Sequence, residues 1–343
     1  MKFPCPVRTR KQRMPSELEL VEEPAGKFPE TAGSRASNES PSDLPAVTAR
    51  EPEPNIADVA LVFEGGGMRA ACTAGMVVLL LKENLNFPFV AGISAGSSHL
   101  SNYVSRDPVR ARRSFVEFAG DPNLGNLRTW LRGDGLFNAD YIYQHTSEPG
   151  EFLPYRWQSF VNNPVDFRVG AFCASTGKMV YWGREDVACK RDFLVRVQAS
   201  STMPVFMPPI EVAGEVFVDG ALGPSGGIPL DAAKAAGFKR FMVVSTRPRD
   251  YVKGEFRGSR VTDRLFRDFP AITEALRQRP YNYNATREEL LDLEAQGDAY
   301  FYTPKGALVS NQERRIPRLW ASFVDGLTQA TSELPAIRRF LFG

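Results

Sequence analysis

The sequence predicts an α/β protein, a sheet layered by helices, and three observations support this. Apolar runs of strand length alternate with segments of helical pattern along most of the chain. Two of the strands run straight into glycine-containing turns that open helices. Adjacent parallel strands would place both turns at the same carboxyl edge of one sheet. Finally, 343 residues of which 43% are hydrophobic and 24% charged are ample for a large core, in one large domain or two small ones.

Taken in order, residues 1–55 form an N-terminal tail that is not expected to fold. They hold nine of the 26 prolines, many Glu, Ser and Arg residues and no apolar periodicity, so too little surface is available to offset ordering. Lys2, Arg8, Arg10, Lys11 and Arg13 make its start basic. A solvated tail is the plain reading, and a weak contact with anionic lipid or a partner is the alternative. No apolar run of seven or more follows, so no secretory signal is expected. Residues 56–343 are expected to form the folded domain.

Asp58 to Phe63 reads as a buried strand, Glu64 to Arg69 as a glycine turn and Ala70 to Asn84 as a helix. Phe87 to Ala91 is a second short strand and Ser97 to Val104 a second helix. Arg106 to Thr129 is mixed and loop-rich, with Arg110, Arg112 and Arg113 clustered. Trp130-Leu131, Gly135-Leu136-Phe137 and Glu151 to Trp157 are aromatic stretches. Such residues are more often core, but beside arginines they can also seat a protein at a headgroup layer. Val165 to Cys173 and Met179 to Trp182 flank a turn as a hairpin. Asp192 to Ser200 reads as a helix, Met203 to Pro209 as a proline-rich loop, and Ile210 to Val218 as a second hairpin ending at Asp219-Gly220. A helix over Leu230 to Gly237 precedes the hydrophobic strand Phe241 to Ser245. Helical patterns then dominate to the end, broken by a strand at Ala299 to Tyr302.

Composition narrows the function. A formal net charge of +2 gives no global footprint for nucleic acid. The four cysteines, Cys5, Cys72, Cys173 and Cys189, form no C-x-x-C pair and have only two histidines beside them. No metal site and no disulfide framework are expected, and scattered free thiols suit a reducing, cytoplasmic setting. The longest aliphatic run, Met76 to Leu81, is far short of the ~18–20 residues that span a bilayer. A lipid substrate would therefore be met at the membrane surface, in peripheral and transient contact.

The chemistry lies between Asp58 and Ser105. Gly92-Ile93-Ser94-Ala95-Gly96 is a G-x-S-x-G pentapeptide between strand and helix, the geometry in which a serine sits on a sharp turn cleared by its flanking glycines. Gly65, Gly66 and Gly67 expose bare backbone where something must approach closely. Their turn, with Met68 and Arg69, can aim amides at the oxyanion formed when Ser94 attacks a carbonyl. Alone, either motif is weak. Gly65, Gly67 and Ala70 also fit a dinucleotide-binding turn, and G-x-S-x-G also suits close packing of helix on strand.

Together, Glu64 to Arg69, Gly92 to Ser97 and the later Asp219-Gly220-Ala221 resemble the bacterial patatin-like phospholipases, serine lipid acyl hydrolases. Ala199 to Pro204, Val216 to Gly220 and Ser245 to Arg249 extend the resemblance, which spans about Asp58 to Gly343. The commonest pattern has Asp at Glu64 and Gly at Ala70; neither change removes a backbone donor. The resemblance implies a three-layer α/β/α sandwich with a mainly parallel central sheet. It also implies a Ser94–Asp219 dyad, with Gly65, Gly66, Gly67, Met68 and Arg69 as the oxyanion loop and Gly92, Gly96, Gly220 and Ala221 in support. No metal or cofactor is implied, and the substrate is a lipid or other acyl ester.

The residues agree on the base. His99 lies five positions after Ser94 on one helix, about 1.4 turns away, and would point elsewhere. His145 sits in a polar loop with no acid beside it. Asp219 alone would pass for a hairpin turn residue; with the other motifs it is the better partner, although its reference pKa near 3.9 makes it a weak base. Such an apparatus suits esters better than amides and leans on the oxyanion donors. The competing readings are a dinucleotide-binding protein using the Gly65-Gly67-Ala70 turn and a catalytically silent interaction module.

Overall fold

The computed structural model describes residues 54–125, 137–306 and 308–343. All but the last two residues of the expected tail lie outside this range, as do Trp130, Leu131, Gly135 and Leu136. Among the described residues, eight strands form one sheet: β1 (Val59–Phe63), β2 (Phe89–Ile93), β3 (Asp166–Cys173), β4 (Lys178–Trp182), β5 (Ile210–Val212), β6 (Glu215–Asp219), β7 (Arg240–Val244) and β8 (Ala299–Tyr302). Its backbone is the parallel run β3-β2-β1-β7-β8, with the β3-β4 and β5-β6 hairpins antiparallel.

Every residue of β1 is buried, which is why it reads as an unbroken apolar run rather than an alternating one. Leu61 and Phe63 face a layer built by α1 (Ala70–Lys82), α2 (Ala95–Val104), α5 (Lys190–Ser200) and α9 (Ile316–Phe342). Ala60 and Val62 face α6 (Leu230–Ala235) and α8 (Pro270–Gln296). The result is the expected three-layer α/β/α sandwich. Three short helices, α3 (Pro108–Arg113), α4 (Trp157–Asn162) and α7 (Ser259–Leu265), complete the described set.

Helix α1 is apolar on all sides because it lies between the sheet and α9. The crossing is tight. A Cβ added at Gly75 would overlap the backbone of Leu327, and one added at Gly326 would overlap Cys72. Cys72 and Cys173 are free and buried, whereas Cys189 is disulfide-bonded; the expectation of free thiols holds for the first two and not for Cys189.

The feature that places the site is the way β3 is shared. Residues Val169 to Cys173 pair with β4 along one edge. Along the other edge Asp166 to Gly170 pair with β2, and Ala171 to Cys173 pair with β6. Strands β2 and β6 therefore meet end to end against β3. Ile93 sits opposite Gly170 and Asp219 opposite Ala171. A residue just past the end of β2 and one at the end of β6 are thus brought together by one register step, although 125 positions separate them in the chain.

Candidate active site

Ser94 follows β2 at φ +56°, ψ −127°, a strained backbone for a residue with a side chain. Gly92 and Gly96 permit it: a Cβ on Gly92 would strike the Gly96 carbonyl, and one on Gly96 would strike the Phe63 carbonyl. The Ser94 hydroxyl donates to Asp219 Oδ2 at 2.7 Å, and both residues are buried. Asp219 Oδ1 accepts from the Ala221 amide at 2.8 Å, and Gly220 lies against the Gly170 carbonyl where no side chain fits. Burial pushes the Asp219 carboxyl above its ordinary range. The Ala221 amide, the Ser94 hydroxyl and the nearby Arg279 pull the other way without cancelling the rise.

Residues at the end of α5 tie the pair together. The Ser94 amide donates to Ser200 Oγ at 2.9 Å, and that hydroxyl donates to the Gly170 carbonyl at 2.6 Å. The Asp219 amide donates to the Thr202 carbonyl at 2.8 Å. One short segment thus holds the backbone of both Ser94 and Asp219. The motif resemblance takes in this segment but assigns Ser200 and Thr202 no role, because the Ser200 hydroxyl and the Thr202 carbonyl act on residues distant in the chain and carry no local signal.

The glycine loop lies beside the serine. A Cβ on Gly65 would come within 3.0 Å of Ser94 Cβ. Of the five candidate amides, three are already engaged: Gly65 N–H donates to the Gly227 carbonyl at 3.0 Å, Met68 N–H to Asn311 at 2.9 Å, and Arg69 N–H to Gly66 at 3.3 Å. Among the described residues, the Gly66 and Gly67 amides have no such partner. Gly67 has φ +54° and abuts the Asn311 carbonyl. Burial, and then the nearby positive charge of Arg247, lower the pKa of Arg69 to about 10, with Glu64, Tyr283 and Tyr251 pulling the other way.

Neither histidine joins the site. His99 is fully buried between the Phe63 and Phe115 rings. Its Nε2 lies 2.9 Å from Thr73 Oγ1 and 3.2 Å from the Ala70 carbonyl, and burial drives its pKa down to about 3. His145 is exposed and stacks on Tyr141.

A pocket opens from Ser94. Its walls are mostly apolar, with Phe115, Phe118, Phe137, Leu153, Met203 and Met207 among them, and Gly67, Met68, Ala95 and Asn311 at the serine end. Ala95 sits at the start of α2, where helix amides lack intrahelical partners, as the strand-to-helix placement of the pentapeptide implies. Arg110 is buried in this wall, but its guanidinium is spent on Asn102 Oδ1 (2.6 Å), the Leu153 carbonyl (3.2 Å) and Ser147 (3.3 Å). Of the aromatic stretches, Phe137 and Tyr155 are core while Phe152 is 40% exposed.

Comparison with known proteins now decides the family. A model described as patatin-like phospholipase matches residues 61–234, just over half of the chain, and the match takes in both loops and Asp219. The chain belongs to the patatin-like phospholipase family. A second model, a domain of unknown function (DUF6363), matches residues 269–342, the stretch that holds α8, β8 and α9. The uncharacterized protein YjjU of Escherichia coli (strain K12) is 27% identical over 201 residues, covering 55% of this chain and 52% of YjjU. The chain thus spans about half the length of that curated relative. The crystal structure of VipD from Legionella pneumophila aligns with a TM-score of 0.44 and 13% identity, over 81% of this chain and 67% of VipD.

Proposed function

We propose that residues 56–343 form one hydrolase that cleaves carboxylic esters of phospholipids or related lipids through Ser94 and Asp219. The observation that carries this is the 2.7 Å Ser94–Asp219 hydrogen bond at the serine end of an apolar pocket. Ser94 Oγ bonds to the ester carbonyl carbon as its proton passes to Asp219 Oδ2. The amides of Gly66 and Gly67, with that of Ala95 at the helix start, take the oxyanion. The intermediate collapses, and the leaving alkoxide takes the proton from Asp219. Water then attacks the acyl-enzyme, gives its proton to Asp219 and releases the acid; the proton returns to Ser94. A raised carboxyl pKa makes Asp219 a better base than an exposed aspartate, and its burial removes competing water.

The dinucleotide alternative loses support because the glycine turn is filled by Ser94, Thr246 and Asn311. A face suited to lipid contact lies beside the pocket. Ile316, Trp320 and Val324 form an exposed stripe on α9 (39%, 37% and 42%). Ile316 abuts Gly120, Arg112 lies over Trp320, and Arg113 lies over Phe152. Arg112 is buried and paired with Glu117, so Arg113 is the cation of this face, and exposed aromatics beside a cation suit an anionic headgroup layer. No helix among the described residues is long and apolar enough to cross a membrane.

The test is turnover of a lipid and short-ester panel with labelling by a fluorophosphonate. Ser94→Ala should lose both labelling and turnover, and Asp219→Asn should lose at least ~10³-fold in kcat. A folded variant that keeps its activity rejects the dyad, and an unlabelled wild-type protein favours the silent module. For the lipid face, Trp320→Ala should lower turnover on anionic vesicles relative to turnover of a soluble ester; an unchanged ratio rejects that face.

A further inference from the structure

The stretch matched as a domain of unknown function does not stand apart from the site. We propose that it is part of the catalytic apparatus: α8 and the loop before α9 hold the oxyanion loop in register, with Tyr283 as the positioning residue. The inference rests on the hydrolase reading above and adds to it a role for the C-terminal third of the chain.

The contacts converge on one loop from three directions. First, the Tyr283 hydroxyl donates to Glu64 Oε1 at 2.7 Å, with both residues buried. Glu64 is the residue between β1 and the glycines. Its other oxygen accepts from the Thr246 amide at 2.7 Å and from the Ser245 hydroxyl. Thr246 Oγ1 in turn donates to the Gly65 carbonyl at 3.0 Å. Glu64 is thus a buried carboxylate whose orientation is set from α8 and whose hydrogen bonds fix the loop's first peptide. Second, α8 backs the Gly226-Gly227 turn. A Cβ on Gly226 would lie 2.5 Å from Tyr283 Cα, so the turn rests directly on the helix backbone there. It is the Gly227 carbonyl that takes up the Gly65 amide. Third, the Asn311 carbonyl takes up the Met68 amide at 2.9 Å.

The consequence is a selection among donors. An amide that finds a carbonyl inside the protein is lost to the substrate. The C-terminal segment, directly or through the turn it backs, occupies the amides at the two ends of the loop and leaves those of Gly66 and Gly67 for an oxyanion. Stabilisation of that kind depends on donors fixed before the charge develops. Loosening the frame should therefore weaken the transition state more than the substrate complex. The phenol is suited to this role. Burial, and then the carboxylate beside it, push its pKa well above the ordinary value, so it stays a neutral donor.

The experiment compares wild type, Tyr283→Phe, Glu64→Gln and the double variant, with exposed Tyr281→Phe on the same helix as control. Turnover of a soluble ester is normalised to sites titrated with fluorophosphonate, so that any unfolded fraction drops out. Tyr283→Phe is expected to lose about tenfold or more in kcat per titrated site with KM within about twofold. Because Tyr283 acts through Glu64, the double variant should be no slower than the slower single variant. Amide hydrogen exchange across Glu64 to Arg69 should quicken in Tyr283→Phe and not in Tyr281→Phe. The exchange readout stands whether or not the protein proves to be an esterase, so an inactive wild type would refute the hydrolase reading alone. Glu64→Gln reaches the same bond from the other side should Tyr283→Phe fail to fold. Exchange in the loop that matches wild type, kcat per site within threefold of wild type, or losses that add in the double variant would each overturn the proposal.

Discussion

Gly66→Ala tests the oxyanion loop at its most sensitive point. At Gly66, where φ is −173° and ψ 6°, an added methyl group meets its neighbours directly. That Cβ would lie 2.5 Å from Thr246 Oγ1, 2.7 Å from its Cβ and 2.8 Å from its Cγ2. Ordinary carbon contacts are ~3.5–4.0 Å, so about 1 Å of movement is needed. Thr246 is poorly able to supply it: it is fully buried, its amide is bound to Glu64 and its hydroxyl to the Gly65 carbonyl. The glycine loop must move instead. Overpacking of this kind costs about 1–3 kcal/mol in stability, and a 1 Å misplacement of reacting groups costs on the order of 10²-fold in rate. The expected result is a Tm only a few degrees lower and kcat on a short-chain ester down by about 10²-fold, normalised to titrated sites. A kcat within threefold of wild type would refute the assignment of this loop to the oxyanion.

Other consequences follow from the same geometry. Asp219 must be ionised to take the serine proton, and burial raises its pKa; kcat/KM should therefore rise with pH on an acid limb lying above 3.8, with no inflection near 6.5 from the neutral, buried His99. A limb below 3.8 would contradict this. A raised carboxyl pKa also means that the native state binds its proton more tightly than the unfolded chain. This contribution is fully present below the unfolded pKa and is lost as pH rises through the folded one. Asp219→Asn should accordingly keep or raise Tm at pH 7 while abolishing turnover, and a markedly lower Tm would count against the burial argument. Gly326→Ala forces a methyl group into the Cys72 backbone where α1 and α9 cross; thermal unfolding should show a loss of about 3 kcal/mol or more, with kcat per titrated site little changed.

The sandwich was legible because buried parallel strands leave continuous apolar runs and their turns are marked by glycine. Val59–Phe63 and Phe241–Val244 are such runs, and both hairpins carry their own turn signals. The serine turn was legible for a related reason. Ser94 needs glycines on both sides within two residues, and so strict a local demand leaves a local mark. Asp219 was harder: an Asp-Gly at a strand end reads equally well as a turn, and the motif resemblance had to decide between them. Ser200, Thr202, Tyr283 and Asn311 left no mark, because each acts through a single hydroxyl or backbone carbonyl that almost any sequence could provide. Nor did composition separate the aromatics of the middle region into core, as with Phe137 and Tyr155, and surface, as with Phe152.

By itself, then, the amino-acid sequence determined the strands and the strained serine turn, since each follows from backbone sterics or from the residue types present nearby. The tertiary structure alone decided that β2 and β6 share one edge of β3, which is what sets Ser94 against Asp219. It alone also decided which loop amides stay unpaired, because a hydrogen bond between residues more than a hundred positions apart depends on register and helix placement that no local pattern encodes.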